Sequence, residues 1–203
     1  MKLHHNPASP FVRMVTVTAH ELNISDQIEL IDTGVFLPDR VNDAVAADNP
    51  LGKIPALVTD HGTALYDSRV ICRFFDTRGN GGLYPDAPIW DVLTLEALGD
   101  GISDAAVAII YEGRTRPADK QNPPSVEGQW AKIERALDAL ESGWSAHLSG
   151  PLDMGQIACI AALGYIDFRL ADRDWRAARP ALARWSEAMA ARPSVAATLP
   201  YAP

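Results

Sequence analysis

Cysteine is almost missing from this chain of 203 residues: Cys72 and Cys159 are the two, far apart in sequence. That spacing excludes a disulfide framework. Histidine is sparse as well, and positions 4, 5, 20, 61 and 147 show neither the i, i+4 pair nor the Cys-x-x-Cys spacing that would set two ligands on one metal. No metal is expected. Basic residues are in deficit, 18 against 26 acidic, for a net charge of −8. An acidic chain without a basic cluster excludes nucleic acid as the main ligand. No window approaches the ~20 apolar residues of a membrane span, and Met1 to Pro10 holds no apolar stretch of signal-peptide length. The expectation is a soluble cytoplasmic protein with no membrane partner, in which the Asn23-Ile24-Ser25 sequon is a chance match. Nucleotide and hydrolase signatures are lacking too. Gly79-Asn80-Gly81-Gly82 has no third dinucleotide-loop glycine, Gly52-Lys53 runs into Ile54 instead of Ser or Thr, and no Gly-x-Ser-x-Gly occurs.

What is present is an ordinary globular composition, 47% hydrophobic and 22% charged. It is arranged as two unlike halves. Residues 1–79 alternate short strand-like and helix-like runs, and residues 89–203 carry almost only helical periodicity. The Gly- and Pro-dense stretch 80–88 breaks both periodicities and is the expected linker. In the first half, Lys2 to His5 reads as a strand. Ser9-Pro10 reads as a helix start, followed by Val12, Val15, Ala19 and Leu22 on one face. Gln27 to Asp32 alternates as a strand, and residues 35–48 read as a loop with a weak helix. Ile54 to Thr59 and Thr63 to Tyr66 form a hairpin around Asp60-His61-Gly62. Asp67-Ser68 opens a helix with Val70, Ile71, Phe74 and Phe75 on a shared face. The order is β-α-β, then β-β-α.

In the second half, Trp90 to Arg114 is a long helix with a possible bend at Gly99 and Gly101. Val126 to Leu148 places Trp130, Ile133, Leu137, Leu140 and Trp144 at helical spacing. Asp153 and Gln156 make a capping box whose glutamine should return to the cap N–H. They open Met154 to Leu170, apolar on all sides and therefore expected to be a buried central helix. Pro180 to Arg192 is a final amphipathic helix.

Three short segments can carry chemistry. Ser9, between a strand and a helix N-terminus, either caps that helix or faces an anion held by the helix N–H groups. Pro55, inside a strand run, is either an edge-strand proline or a cis proline that turns the Ile54 N–H and C=O outward to pair with a peptide-like ligand. Asp67 and Ser68 either cap their helix or help to receive a carboxylate at its N-terminus.

Taken in order, Asn49-Pro-Leu-Gly-Lys-Ile-Pro-Ala-Leu57 followed by Asp67-Ser68 resembles the glutathione-site signature of the cytosolic glutathione transferase family. Asp153-Met-Gly-Gln-Ile157 resembles its N-capping-box motif, and Ala162-Leu-Gly-Tyr-Ile-Asp-Phe-Arg169 is similar to a small bacterial subgroup. The resemblance implies a thioredoxin-like α/β N-terminal domain and an all-α helical-bundle C-terminal domain, usually in a homodimer. It implies Ser9 as the catalytic position, where relatives with Cys-Pro-Phe use cysteine. Ile54 and Pro55 would pair with the cysteinyl part of glutathione, Asp67 and Ser68 would hold its γ-glutamyl end, and Lys53 would approach the glycyl carboxylate. Phe11 would offer a backbone N–H to the sulfur. Tyr111, Glu112 and Arg114 are the candidate wall for a hydrophobic electrophile. The implied activity is conjugation of glutathione, as co-substrate, to that electrophile in detoxification. Two alternatives stand beside it: a glutathione-binding protein with little catalysis, and a glutathione-dependent reductase, dehalogenase or isomerase.

Overall fold

A computed structural model describes residues 1–34, 40 and 42–202. Strand β1 (Lys2–His5) leads into helix α1 (Pro10–Glu21), a 3₁₀ turn at Ser25–Gln27 and strand β2 (Glu29–Asp32). Helix α2 (Asp43–Asp48), strands β3 (Ala56–Val58) and β4 (Ala64–Leu65) and helix α3 (Ser68–Gly79) complete the first half. The four strands order as β2-β1-β3-β4, with β1 parallel to β2 and antiparallel to β3, and β3 antiparallel to β4. The weak helix within 35–48 is α2, and residues 35–39 and 41 of that stretch lie outside the described residues.

The second half is helical: α4 (Ile89–Thr115), α5 (Pro123–Gly143), α6 (Ser145–Leu148), α7 (Met154–Arg169), α8 (Pro180–Ala190) and α9 (Pro193–Ala196). The expected helix over 126–148 is interrupted at Trp144, whose ring is half-buried and edge-on to His147 at 5.5 Å. Among the described residues no helix is long and apolar enough to cross a membrane.

Helix α7 is buried on all sides, as its sequence demands. Its Met154, Ile157, Ala158, Ile160 and Ala161 join a core made by the sheet, α1 and α3. Its Cys159, Ala162, Leu163, Tyr165 and Ile166 join a second core made with α4 and α5. Burial pushes both the Cys72 and Cys159 thiols up, so they are inert apolar packing groups. The N-cap is one-sided. Asp153 accepts the Gln156 N–H at 3.0 Å and also takes His147 Nε2 at 2.6 Å. The Gln156 amide does not return to the cap: it donates to the Pro151 carbonyl at 2.6 Å, leaving its own oxygen without a partner. The loop carbonyls before α7 compete for that amide and win.

A buried carboxylate joins the two halves. Asp76 near the end of α3 accepts the backbone N–H groups of Leu83 (2.8 Å) and Tyr84 (3.3 Å), fixing the glycine-rich connection. At the other end of α1, Glu21 pairs with Arg192 at 2.8 Å and accepts the Ser194 hydroxyl, tying α1 to α9.

Glycine sets the α4–α7 approach. A Cβ on Gly99 would lie 2.6 Å from the Ala158 carbonyl carbon, and one on Gly155 would lie 2.9 Å from the Val92 oxygen. Gly99 therefore permits backbone contact, and α4 continues across it as one helix. Gly101, two residues on, has open space around it. Gly99→Ala should destabilise the protein by about 1–3 kcal/mol through overpacking, and Gly101→Ala should be neutral or stabilising by up to about 1 kcal/mol through helix propensity. Thermal unfolding of the two variants against wild type checks the pair; equal effects would mean that the close approach is not tight.

Candidate active site

The sheet register brings the three candidate segments to one end. Ala56 lies opposite His4, so one further step sets Pro55 opposite His5, just before the loop to Ser9. Leu65 lies opposite Leu57, so two further steps set Asp67 opposite Pro55. With strands about 4.8 Å apart, the starts of α1 and α3 flank the Ile54–Pro55 segment.

The Ile54–Pro55 peptide bond is cis, as the sequence reading proposed, and so are Tyr66–Asp67 and Ala87–Pro88. Neither the N–H nor the C=O of Ile54 has a hydrogen-bond partner among the described residues. Pairing of β3 begins only at Ala56. The loop before Ile54 is shaped by buried Asn49. Its side chain donates to the Lys53 carbonyl (2.8 Å) and accepts the Leu51 N–H (3.1 Å), with Gly52 at φ 60° completing the turn. Lys53 itself is exposed.

Ser9 caps α1. Its Oγ accepts the Val12 N–H at 3.3 Å, and its own N–H donates to the Asn6 carbonyl at 3.0 Å. The Phe11 N–H at the same helix end has no partner among the described residues. Asn6 is a positioning residue that sequence reasoning passed over. Its amide bonds the Gly34 carbonyl, and its oxygen accepts the Ala8 N–H at 2.9 Å, folding the loop that presents Ser9. The signal available was the Asn-Pro-Ala-Ser turn sequence. His5 at this end is half-buried, and burial lowers its pKa against the attraction of Asp32, so it stays a neutral imidazole.

Asp67 caps α3, accepting the Arg69 N–H at 3.1 Å and the Arg69 guanidinium at 3.0 Å. Burial would raise its pKa, but the Arg69 hydrogen bonds and charge outweigh burial and hold the carboxyl below the usual range. Arg69 also reaches Asp100 on α4 at 3.1 Å. Ser68 is buried behind this pair.

The proposed electrophile wall divides. Tyr111 and Arg114, in the last turns of α4, lie near Tyr165 and Arg169 of α7. Glu112 does not join them. Its carboxylate accepts the Asn122 N–H (2.8 Å) and pairs with Arg116 (3.0 Å), closing the α4–α5 connection. One residue of helix phase separates the two directions, about 100°.

Across α3 a groove of about 910 Å³ is lined by Leu51, Val70, Phe74, Tyr84, Leu93 and Glu96, among others. Phe75 is fully buried, and Phe74 is the half-buried one that faces this groove. Val70, expected on the buried face, is 46% exposed here.

Family models for the glutathione S-transferase N-terminal domain match residues 8–78, and those for its C-terminal domain match residues 123–188. The chain belongs to the glutathione S-transferase family. It is 35% identical to the uncharacterized GST-like protein YibF of Escherichia coli over 98% of both chains. A glutathione transferase family member from Pseudomonas fluorescens Pf-5, solved with bound glutathione, is 44% identical over 98% of each chain with a TM-score of 0.95. A second structure from that organism, with bound S-(propanoic acid)-glutathione, is 42% identical over 99% of this chain and 100% of that one, TM-score 0.89. The small mixed sheet followed by a helical half is the architecture of that family.

Two carboxylates in this family member are displaced from their ordinary range. Glu96 is 2% exposed and accepts the Tyr84 hydroxyl at 2.7 Å. Burial first, with Asp100 adding, pushes its pKa up to about 7 against the opposing Tyr84 bond and arginine charges. Burial likewise pushes Asp100 up to about 6, with Arg69 opposing. Raised folded-state values mean that the stability linked to protonation is fully present below the unfolded pKa near 4.5. It is lost as pH rises through about 7. Melting temperature should therefore fall between pH 5 and 8, and Glu96→Gln, which still accepts from Tyr84, should flatten that fall. The gain at pH 8 is up to about 3 kcal/mol; an unchanged slope would remove Glu96 as its source.

Proposed function

We propose that this chain is a glutathione transferase that activates the thiol of glutathione and conjugates it to a small electrophile. The observation that carries the reading is the unpartnered Ile54 N–H and C=O, set at the sheet end between Ser9 and Asp67. A peptide lying antiparallel there satisfies both groups as an added strand would. Its cysteinyl sulfur then reaches the start of α1. Its γ-glutamyl end meets Asp67 and Ser68, and its glycyl carboxylate approaches Lys53. Support comes from the two structures of the Pseudomonas fluorescens family member, which hold glutathione and S-(propanoic acid)-glutathione.

A free thiol has a pKa of about 8.5, so little is ionised at neutral pH. A hydrogen bond from the Ser9 hydroxyl, with the free Phe11 N–H and the helix dipole, favours thiolate. One charge-assisted bond contributes about 1.5–3 kcal/mol, which at about 1.4 kcal/mol per unit lowers the thiol by one to two units. The proton passes to solvent. The thiolate attacks the electrophilic carbon, forming C–S while the bond to a leaving group such as chloride breaks with its electron pair. Serine cannot form a mixed disulfide, so glutaredoxin-like exchange is excluded at this position.

The assembly belongs to the same proposal: a homodimer in which the α3 groove covers a second copy. Leu51, 69% exposed, and Val70 with Phe74 give that face its apolar character. Light scattering at micromolar concentration should give twice 22.0 kDa, and Val70→Asp should shift the mass toward the monomer.

For catalysis, Ser9→Ala should raise the bound thiol's pKa by at least about one unit, read by ultraviolet thiolate absorption. It should also lower kcat/KM toward an aryl halide about tenfold at pH 7. Ser9→Gly, better tolerated at an N-cap, separates this effect from lost helix stability. An unchanged pKa and turnover would assign activation to the Phe11 N–H. Glutathione binding without turnover on any electrophile would favour a binding protein over an enzyme.

A further inference from the structure

The region where the start of α1 meets the ends of α4 and α7 is electrically unlike the rest of the molecule. Helix α1 runs antiparallel to α7: the Thr18 hydroxyl lies 3.5 Å from Met154 Sδ at the start of α7, and the Arg13 guanidinium abuts Gly164, ten residues further on. The N-cap Ser9 therefore lies toward the C-terminal end of α7. Helix α4 runs parallel to α7, with Gly155 against Val92 and Leu95 and Gly99 against Ala158 and Cys159. Its last turns, carrying Tyr111 and Arg114, reach the same end. The start of α1 and the ends of α4 and α7 converge there.

That end gathers two arginines and two tyrosines, and no carboxylate pairs with either arginine among the described residues. Arg169 stands over the Phe168 ring at 4.0 Å, and its buried Nε has no hydrogen-bond partner among the described residues. Arg114 has no ion pair among the described residues. The carboxylates nearest in sequence are engaged elsewhere: Glu112 with Asn122 and Arg116, and Asp167 with Arg176 and the Trp175 indole. Burial lowers the Arg169 pKa and the neighbouring Arg114 charge lowers it further, so the two cations repel. The Tyr165 hydroxyl beside Arg169 is pushed up to about 12, chiefly by burial, and stays a neutral donor. In a chain of net charge −8, two arginines brought together at these helix ends without an ion pair among the described residues favour an anion there.

We infer that the electrophile carries a carboxylate, bound by Arg114 and Arg169 with the Tyr111 and Tyr165 hydroxyls as further donors, distal to the sulfur at Ser9. This rests on the glutathione reading above and narrows the substrate class from hydrophobic electrophiles to small organic acids bearing a leaving group or an activated double bond. Both arginines also sit in the last turn of their helices, where a cation offsets the dipole. That role alone gives no preference between a charged ligand and its neutral isostere.

The test is calorimetric, on the full chain, with three S-substituted glutathiones: S-methylglutathione, S-(4-carboxy-2-nitrophenyl)glutathione and its 4-carbamoyl isostere. The carboxylate conjugate should bind wild type at least about tenfold more tightly than the carbamoyl conjugate. Arg169→Gln and Arg114→Gln should each shrink that ratio, and the double variant should bring it to within about twofold. Arg169→Lys should retain part of the preference. Equal affinities in wild type, or a ratio that survives the double substitution, would overturn the inference. If S-methylglutathione itself fails to bind, the glutathione reading falls and takes this one with it. If it binds and the ratio is near one, only the anion assignment falls. The wild-type ratio decides the matter even if a variant does not fold.

Discussion

Backbone contact between α4 and α7 is the constraint from which the rest of the arrangement follows. Two helices come this close only where side chains are absent, and Gly99 and Gly155 supply the gaps at successive levels. With that spacing set, α7 sits between two cores, and each neighbour takes its place from it. Helix α1 packs on α7 through Thr18 and Arg13, and so the height of Ser9 is defined relative to Tyr165 and Arg169. Helix α4 is carried past Asp100, next to Arg69 and Asp67, and on to Arg114. The proposed peptide site and the proposed anion site are thus two levels along one helix pair.

The legible parts of this structure were those in which a few adjacent residues decide the conformation. Ser9-Pro10 has a hydroxyl cap and a fixed φ, Asp67-Ser68 follows a strand end, and Pro55 cannot donate to a ladder; each announces itself locally. The apolar run of α7 likewise needs no partner to be read as buried. Illegible were the features that depend on what packs opposite. Val70 has the right spacing for a buried face, yet it borders a groove because none of the described residues covers that side of α3. Glu112 has the right chemistry for a cleft wall, but its phase at the end of α4 delivers it to Asn122. Gln156 could complete a capping box, and competing carbonyls that precede α7 take its amide instead. Arg169 is an ordinary C-terminal cation in sequence; only the arrival of Arg114 from another helix makes it unusual.

Charge is sorted by depth as well as by position. Helix α4 carries two largely buried carboxyl groups, Glu96 and Asp100, whose protons are retained to unusually high pH because burial outweighs the arginines around them. The far end of α4 leaves cations uncompensated. A single long helix therefore carries acids with raised pKa values at its waist and, at its tip, an arginine without an ion pair among the described residues. Its dipole favours the cationic tip and is indifferent to the waist.

At Ser9 the observed cap and the proposed donor role are compatible once hydrogen-bond capacity is counted. A hydroxyl has two acceptor lone pairs and one donor proton. Capping the Val12 N–H uses one lone pair, so the proton is still available for a sulfur at the helix start. The cap even helps: it restrains the Oγ so that the free proton has fewer directions to search, which reduces the entropy that a donor must give up when it meets an anion. Asp67 follows the same logic with the opposite sign. It accepts from the Arg69 backbone and guanidinium, and lone pairs remain on its two oxygens for an ammonium group. Arg69 keeps that carboxyl ionised at the pH where it would be needed. In both places the interaction that begins a helix leaves hydrogen-bond capacity on the same side chain, so the cap and the proposed binding role are compatible at Ser9 and at Asp67.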